Sequence, residues 1–118
     1  KMIKRITALG LLVFSTAALS SEPRYYEGED VEICSPPSEI IHRNDINGSP
    51  YFLNYGERNS STYLTIVIWE RNIPDLEINP YTYFKVDNVC VRGKITSYRS
   101  QRQIVLSEPS QLFVSKNK

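Results

Sequence analysis

The chain has 118 residues, which is enough for one domain and too few for two. Residues 21–84 carry four basic and eleven acidic side chains, whereas residues 85–118 carry seven basic and two acidic ones. The net charge of residues 21–118 is therefore −2, which excludes a general polycation that binds nucleic acid by charge alone. Any anion-binding surface must be local, and we expect it in the C-terminal third.

Residues 1–20 have the pattern of a secretory signal peptide. Lys1, Lys4 and Arg5 precede a largely apolar stretch of fourteen residues, and Ala18 and Ser20 occupy the −3 and −1 positions of a cleavage site. We expect a bacterial protein exported to the periplasm or secreted, in an oxidising environment and without a stable membrane span after cleavage. The alternative is an uncleaved N-terminal anchor, although fourteen residues are short for a membrane span. Residues 21–29 are polar and are predicted to be a flexible segment.

The remaining chain is rich in tyrosine and β-branched residues, which favours an all-β domain. Asn47-Gly48 predicts a type I′ turn, and Pro80 predicts the start of a short helix. Alternation of apolar and polar residues predicts five strands: 31–43 with a bend at the prolines of 35–38, then 51–55, 62–69, and the two arms of a hairpin within 88–106 that turns at 98–102.

Five strands with one helix-sized gap between the third and the fourth indicate a five-stranded Greek-key OB-fold barrel over residues 30–114. At most a short helix fits between strands 3 and 4. The apolar phase of the strands predicts the barrel core: Val31, Ile33, Leu64, Ile66, Ile68, Val89, Val91, Ile95 and one phase of residues 103–106. Gly93 falls in this apolar phase, which usually marks a bulge, a bend or a close approach of another part of the chain.

Four stretches carry a resemblance to a family: PYFLNYG (50–56), LTIVIW (64–69), VCVRGKITSYRSQRQIVL (89–106) and EPSQL (108–112). They resemble small exported bacterial OB-fold proteins and lipoproteins that are described as nucleic-acid-binding proteins. The similarity covers roughly residues 30–113 and implies the OB fold. The chain departs from the family pattern at the tip of the last hairpin, where Ser100 stands in place of a glycine.

The sequence offers little for catalysis, and we expect no enzyme activity, no cofactor and no metal. His42 is the single histidine, and the chain has neither a phosphate-cradling glycine loop nor zinc-ligand spacing. Glu27, Glu29, Asp30 and Glu32 are dense enough for a cation site, although a solvated acidic segment explains them as well.

Two classes of function remain open. One is an exported module that binds single-stranded nucleic acid or another polyanion; the other is a periplasmic protein-interaction or cation-binding module without a nucleic-acid role. Under the first, cations neutralise phosphates while aromatic rings stack on bases. The predicted contact residues are Tyr51, Phe52, Thr65, Trp69, Lys94, Tyr98, Arg99 and Arg102.

The two cysteines are predicted to form a disulfide. In an OB barrel the first half of strand 1 pairs antiparallel with strand 4, and both cysteines lie in the phase opposite to the core residues of those strands. Cys34 and Cys90 therefore point to the same outer side of neighbouring strands, within reach of a bridge.

Overall fold

A computed structural model describes residues 24–58 and 60–115 of the chain. The predicted signal peptide and the first residues of the predicted flexible segment lie outside these ranges. The described chain is mostly β, which confirms the all-β prediction. Its eight strands are β1 (Asp30–Ile33), β2 (Glu39–His42), β3 (Tyr51–Tyr55), β4 (Leu64–Ile68), β5 (Val89–Lys94), β6 (Thr96–Tyr98), β7 (Gln101–Val105) and β8 (Leu112–Val114).

The strands form two sheets rather than the single five-stranded barrel that the sequence predicted. One sheet has the order β1-β5-β8, and the other has the order β2-β3-β4-β7-β6. Neighbouring strands are antiparallel except for β4 and β7, which run parallel. The described strands do not close into one barrel, so that part of the prediction is corrected.

Two interruptions explain two of the three additional strands, and the third, β8, lies in the C-terminal tail. The segment 34–38 contains Pro36 and Pro37, which cannot donate a ladder hydrogen bond, and it separates β1 from β2. At Ile95 the backbone leaves its sheet: its N–H donates to Glu29 O at 2.7 Å, and its carbonyl accepts from Gly28 N at 2.8 Å. These two bonds also attach the described part of the N-terminal segment to the strands.

The core lies on one face of each strand, as the alternation predicted. Leu64, Ile66, Ile68, Ile95, Ile104 and Leu106 are fully buried, Val91 is 1% exposed, and Ile33 and Val89 are also buried. Val31 is only partly buried but packs against this cluster. The prediction missed four further core residues: Leu53, Tyr55, Leu76 and Phe84.

Cys34 and Cys90 form a disulfide, as predicted. The register of β1 and β5 places Ile33 opposite Val91, so the next pair along the ladder is the two cysteines. Their Cα atoms lie 4.0 Å apart, and 56 positions separate them in the sequence. Cys90 is fully buried, whereas Cys34 is exposed. The bridge therefore links β5 covalently to the residue that follows the end of β1.

Two one-turn helices connect β4 to β5, α1 (Ile73–Leu76) and α2 (Pro80–Tyr83). The predicted helix start at Pro80 is confirmed, and Asn79 caps it by accepting a hydrogen bond from Tyr81 N at 2.9 Å. Short 3-10 turns lie at Glu70–Asn72 and Pro109–Gln111. No helix in the described ranges is long and apolar enough to cross a membrane.

The two turns predicted from sequence differ from the observed ones. Between β2 and β3, Ser49 N donates to Ile46 O at 2.9 Å, so Asn47 and Gly48 are the central residues of a turn, as predicted. Of these two residues only Gly48 has a positive φ (90°), so the predicted type I′ geometry is wrong. In the last hairpin the turn contains only Arg99 and Ser100, with φ of 53° and 66°. This left-handed pair gives the tight I′-like geometry without a glycine, so β7 begins earlier than predicted.

Gln111 joins the two sheets near the C-terminal end of the fold. Its Nε2 donates to Arg92 O at 3.0 Å and to Val105 O at 3.1 Å, while its Oε1 accepts from Ser107 N and Glu108 N. One side chain thus satisfies four backbone groups. Gly93 lies beneath it, and a Cβ at this glycine would overlap the Cγ2 atom of Ile104, which explains the glycine in an apolar phase.

Candidate functional site

A groove of about 370 Å³ crosses the five-stranded sheet on the face that points away from the core. Ten residues from β2, β3, β4, β6, β7 and the adjoining loops line it, and they are aromatic, amide-bearing or cationic with few exceptions: Ile41, Arg43, Phe52, Asn54, Arg58, Tyr63, Thr65, Tyr98, Gln101 and Gln103.

Strand alternation and register together bring these side chains onto one face. In β3 the core phase is Tyr51, Leu53 and Tyr55, so Phe52 and Asn54 point the other way. Asn54 faces Thr65 on β4, and Thr65 faces Gln103 on β7. The outer phases of three neighbouring strands therefore form a continuous surface.

A chain of hydrogen bonds runs along the floor of the groove from one end. The Arg58 Nη2 atom donates to Glu39 Oε2 at 3.3 Å, and Asn54 Nδ2 donates to the same oxygen at 2.9 Å. Thr65 Oγ1 donates to Asn54 Oδ1 at 2.7 Å. Asn54 is 5% exposed and Thr65 is 8% exposed, so the inner part of this chain is buried although it lies beside an open groove.

Both arginines that line the groove are paired with carboxylates but remain accessible. Arg43 makes a bidentate contact with Asp45, at 2.8 Å from Nε and 2.7 Å from Nη2, and its hydrogen bonds lower the pKa of Asp45 to about 2. The side chains of Arg43 and Arg58 are 44% and 68% exposed. Such exposed pairs are worth little energy, so an anionic ligand can compete for the guanidinium groups.

Tyr98 and Arg99 stand at the tip of the last hairpin, at one end of the groove. The ring of Tyr98 is 58% exposed, and the Arg99 guanidinium carbon lies 5.3 Å from the ring centroid. This arrangement offers a solvent-accessible aromatic face with a cation beside it, which suits stacking with a base next to a phosphate.

The structure brings three of the eight predicted contact residues together: Phe52, Thr65 and Tyr98 line the groove. Arg99 adjoins them through its contact with Tyr98. Tyr63, which is not among the eight predicted contacts, also lines the groove, although it is buried.

The other four predicted residues lie elsewhere. Tyr51 is in the core phase of β3, where its ring stacks on His42 with centroids 3.9 Å apart. Trp69 packs against Gly48, at which a Cβ would lie 2.9 Å from Cε3 of the indole. Lys94 belongs to the other sheet and donates to Gly28 O at 3.3 Å. Arg102 lies opposite Ser97, in the phase of β7 that alternates with the groove residues.

Besides Tyr63, sequence reasoning missed six of the lining residues. Alternation could have identified Asn54, which lies two residues from Phe52 in β3. The pairing of β2 with β3 could have identified Ile41, which faces Phe52. The positions of the other four depend on the paths of loops and on the β4–β7 register, for which the sequence gives no local signal: Arg43, Arg58, Gln101 and Gln103.

The acidic residues near the N-terminus engage backbone and cationic groups. Glu29 Oε1 accepts from Tyr26 N at 3.0 Å, and Glu32 pairs with Arg92 at 2.6 Å. Within residues 24–58 and 60–115, no three His, Cys, Asp or Glu side chains are grouped closely enough to hold a metal ion.

No protein-family model matches the chain, and the comparison with curated proteins gives no significant match.

Proposed function

We propose that the protein is an exported, OB-type binding module, without enzyme activity, whose groove binds single-stranded nucleic acid. The observation that carries the proposal is the composition of one open groove: Phe52 and Tyr98 supply aromatic faces, and Arg43 and Arg58 supply accessible guanidinium groups. Stacking platforms next to cations are the combination by which proteins hold single strands.

The strand pairing supports the OB assignment. If β1 with β2 is counted as one broken strand, and β5 with β6 as another, the five strands pair as 1-2, 2-3, 3-5, 4-5 and 1-4, with one parallel pair, between β4 and β7. These pairs remain divided between the two sheets. The OB fold places its ligand surface on the strand 2–3 face with the flanking hairpin loops, which here correspond to β3, β4 and the turn at Arg99. Fold analogy alone does not give a function, so the groove residues carry the argument.

The disulfide is compatible with an extracellular location, because such bonds persist in oxidising compartments. We propose that the protein acts in the periplasm or is secreted by a bacterium, and that its first twenty residues are the export signal.

Fluorescence anisotropy with a labelled single-stranded 15-mer, at two salt concentrations, tests the function. We expect binding at low salt that weakens as salt rises, because phosphate contacts release counterions. Arg43→Ala and Arg58→Ala should each lower affinity and make the salt dependence shallower, whereas Lys94→Ala, which removes one positive charge from the other sheet, serves as the charge-matched control. Absence of binding by the wild type at low salt would reject the proposal.

A protein-interaction role is the second candidate, and the edge strand β6 favours it. All three residues of β6 are exposed, and the strand ends the five-stranded order. An uncovered edge can accept a strand from another chain. In that case oligonucleotides would not bind, and a proline in place of Ser97 would abolish the interaction without affecting the groove.

A further inference from the structure

The floor of the groove contains an unusual pair of side chains. Among the residues described, Asn54 and Thr65 are the polar side chains that are buried, at 5% and 8% exposure, and both line the groove. Buried polar groups are hydrogen-bonded with defined directions, and here those directions can be deduced.

Glu39 fixes the direction of the hydrogen bonds that link it to Asn54 and link Asn54 to Thr65. A carboxylate only accepts hydrogen bonds, so the amide group that faces Glu39 Oε2 at 2.9 Å must be the Nδ2 of Asn54. The Oδ1 atom then faces Thr65, and because this oxygen only accepts, the Thr65 hydroxyl must donate to it at 2.7 Å. The proton of Thr65 is thereby committed to Asn54.

Thr65 consequently presents a hydrogen-bond acceptor to the groove. A hydroxyl that has donated its one proton offers only lone pairs to a ligand. The second hydrogen of Asn54 Nδ2 is the donor beside this acceptor, and Arg58 keeps further N–H groups at the end of the groove.

We propose that Thr65, held as an acceptor by Glu39 through Asn54, makes the groove prefer bases that carry an exocyclic amino group over uracil and thymine. The inference rests on the proposed binding of single-stranded nucleic acid. A base stacked on Phe52 lies two residues along the strand from Asn54 and turns its edge toward the Asn54–Thr65 pair. Cytosine offers an amino donor next to a ring-nitrogen acceptor, which matches the acceptor of Thr65 and the free donor of Asn54. Uracil replaces that amino group with a carbonyl oxygen, which faces the Thr65 lone pairs without a proton between them.

Two oligonucleotides of fifteen identical nucleotides, oligodeoxycytidine (dC15) and oligodeoxyuridine (dU15), isolate the contribution of this base edge. Cytosine and uracil differ only at ring positions 3 and 4. We expect the wild type to bind dC15 roughly tenfold more tightly, the ratio that corresponds to one hydrogen bond replaced by an unpaired contact of about 1.4 kcal/mol. Thr65→Val keeps the size of the side chain and removes the hydroxyl, so the ratio should fall to about one. Thr82→Val, on exposed α2, is the matched control and should leave the ratio unchanged.

Glu39→Gln gives a second, independent test of the direction of the hydrogen bonds that link Glu39, Asn54 and Thr65. A glutamine can donate to Asn54 Oδ1, which allows the amide to turn and Thr65 to direct its proton into the groove. The preference for dC15 should then disappear or reverse in favour of dU15, while the wild type and the Thr82 variant retain it.

The outcomes separate the two proposals. Equal binding of dC15 and dU15 by the wild type would overturn the preference and leave nucleic-acid binding standing. A wild-type preference that survives in both Thr65→Val and Glu39→Gln would assign it to other residues and overturn the role of Thr65. Failure of the wild type to bind either oligonucleotide would overturn the proposed function and this inference with it.

Discussion

Opening the Cys34–Cys90 disulfide should destabilise the domain more than any single side-chain truncation on its surface. The bond links positions 56 residues apart, and on the chain-entropy model a loop of that length contributes about 4 kcal/mol by restricting the unfolded chain. Domains of this size are stable by only about 5–15 kcal/mol. Without the bond, the melting temperature should fall by roughly 15–30 °C.

The measurement is urea denaturation followed by the fluorescence of Trp69, with and without a thiol reductant. The variant Cys34→Ala with Cys90→Ala removes the bond without leaving a thiol or hydroxyl in the fully buried position of Cys90, and reductant should not change its midpoint further. Reduced wild type and the double variant should therefore agree within about 1 kcal/mol, the usual cost of a small change in a core residue.

Two results would refute this reasoning. Titration of the unfolded, unreduced protein with a thiol reagent should find no free cysteine, and two free thiols would mean that the bond does not form. If the bond forms but its reduction leaves the midpoint unchanged, the unfolded chain must already be restricted over this loop, and the entropic account fails.

Three further predictions concern stability. Gln111→Glu replaces the amide that donates to two backbone carbonyls with a carboxylate that repels them, so it should cost about 2–3 kcal/mol, and denaturation equal to wild type would show that these bonds contribute nothing. Ile66→Ala, at a fully buried position in β4, should cost about 2–5 kcal/mol through lost burial and a residual cavity; an unchanged midpoint would contradict the packing. Burial raises the pKa of Tyr55 above its ordinary value of 10.0, so the stability that its neutral form contributes is complete below pH 10 and is lost as pH rises further. Tyr55→Phe should accordingly flatten the decline of stability above pH 10, by up to about 1.4 kcal/mol per pH unit, and parallel profiles for the two proteins would refute the assignment.

The core could be predicted because it depends on local alternation, whereas the disulfide also required the pairing of strand 1 with strand 4 that the OB fold implies. A period of two assigns Ile66 and Val91 to one face whatever the partner strand is, and it assigns Cys90 to the other. The start of α2 at Pro80 was equally local, because proline suits the first helical position and Asn79 caps it.

The groove was predictable only in part, because its composition depends on pairings between distant segments. The parallel pair of β4 and β7 places Thr65 beside Gln103, which is far along the chain and has no signal in the sequence around either residue. The selection of consecutive residues Tyr51 and Phe52 for one surface was inconsistent with alternation itself, since neighbours in a strand point to opposite faces. Arg102 was assigned to the turn at 98–102, but it lies within β7, in the opposite phase from Gln101.

Under the proposed function, the hydrogen bonds that link Glu39, Asn54 and Thr65 serve recognition rather than stability. Each of these bonds adds about 1 kcal/mol net, and replacing both partners of a buried pair by apolar groups of the same shape is often neutral. Val67, next to Thr65 on the same face of β4, is 2% exposed and shows that an apolar side chain is accommodated there. The fold therefore does not require polar groups at Asn54 and Thr65. What the chain from Glu39 to Thr65 does provide is a fixed direction for each proton, and a fixed direction matters where a ligand must be distinguished from its close analogue.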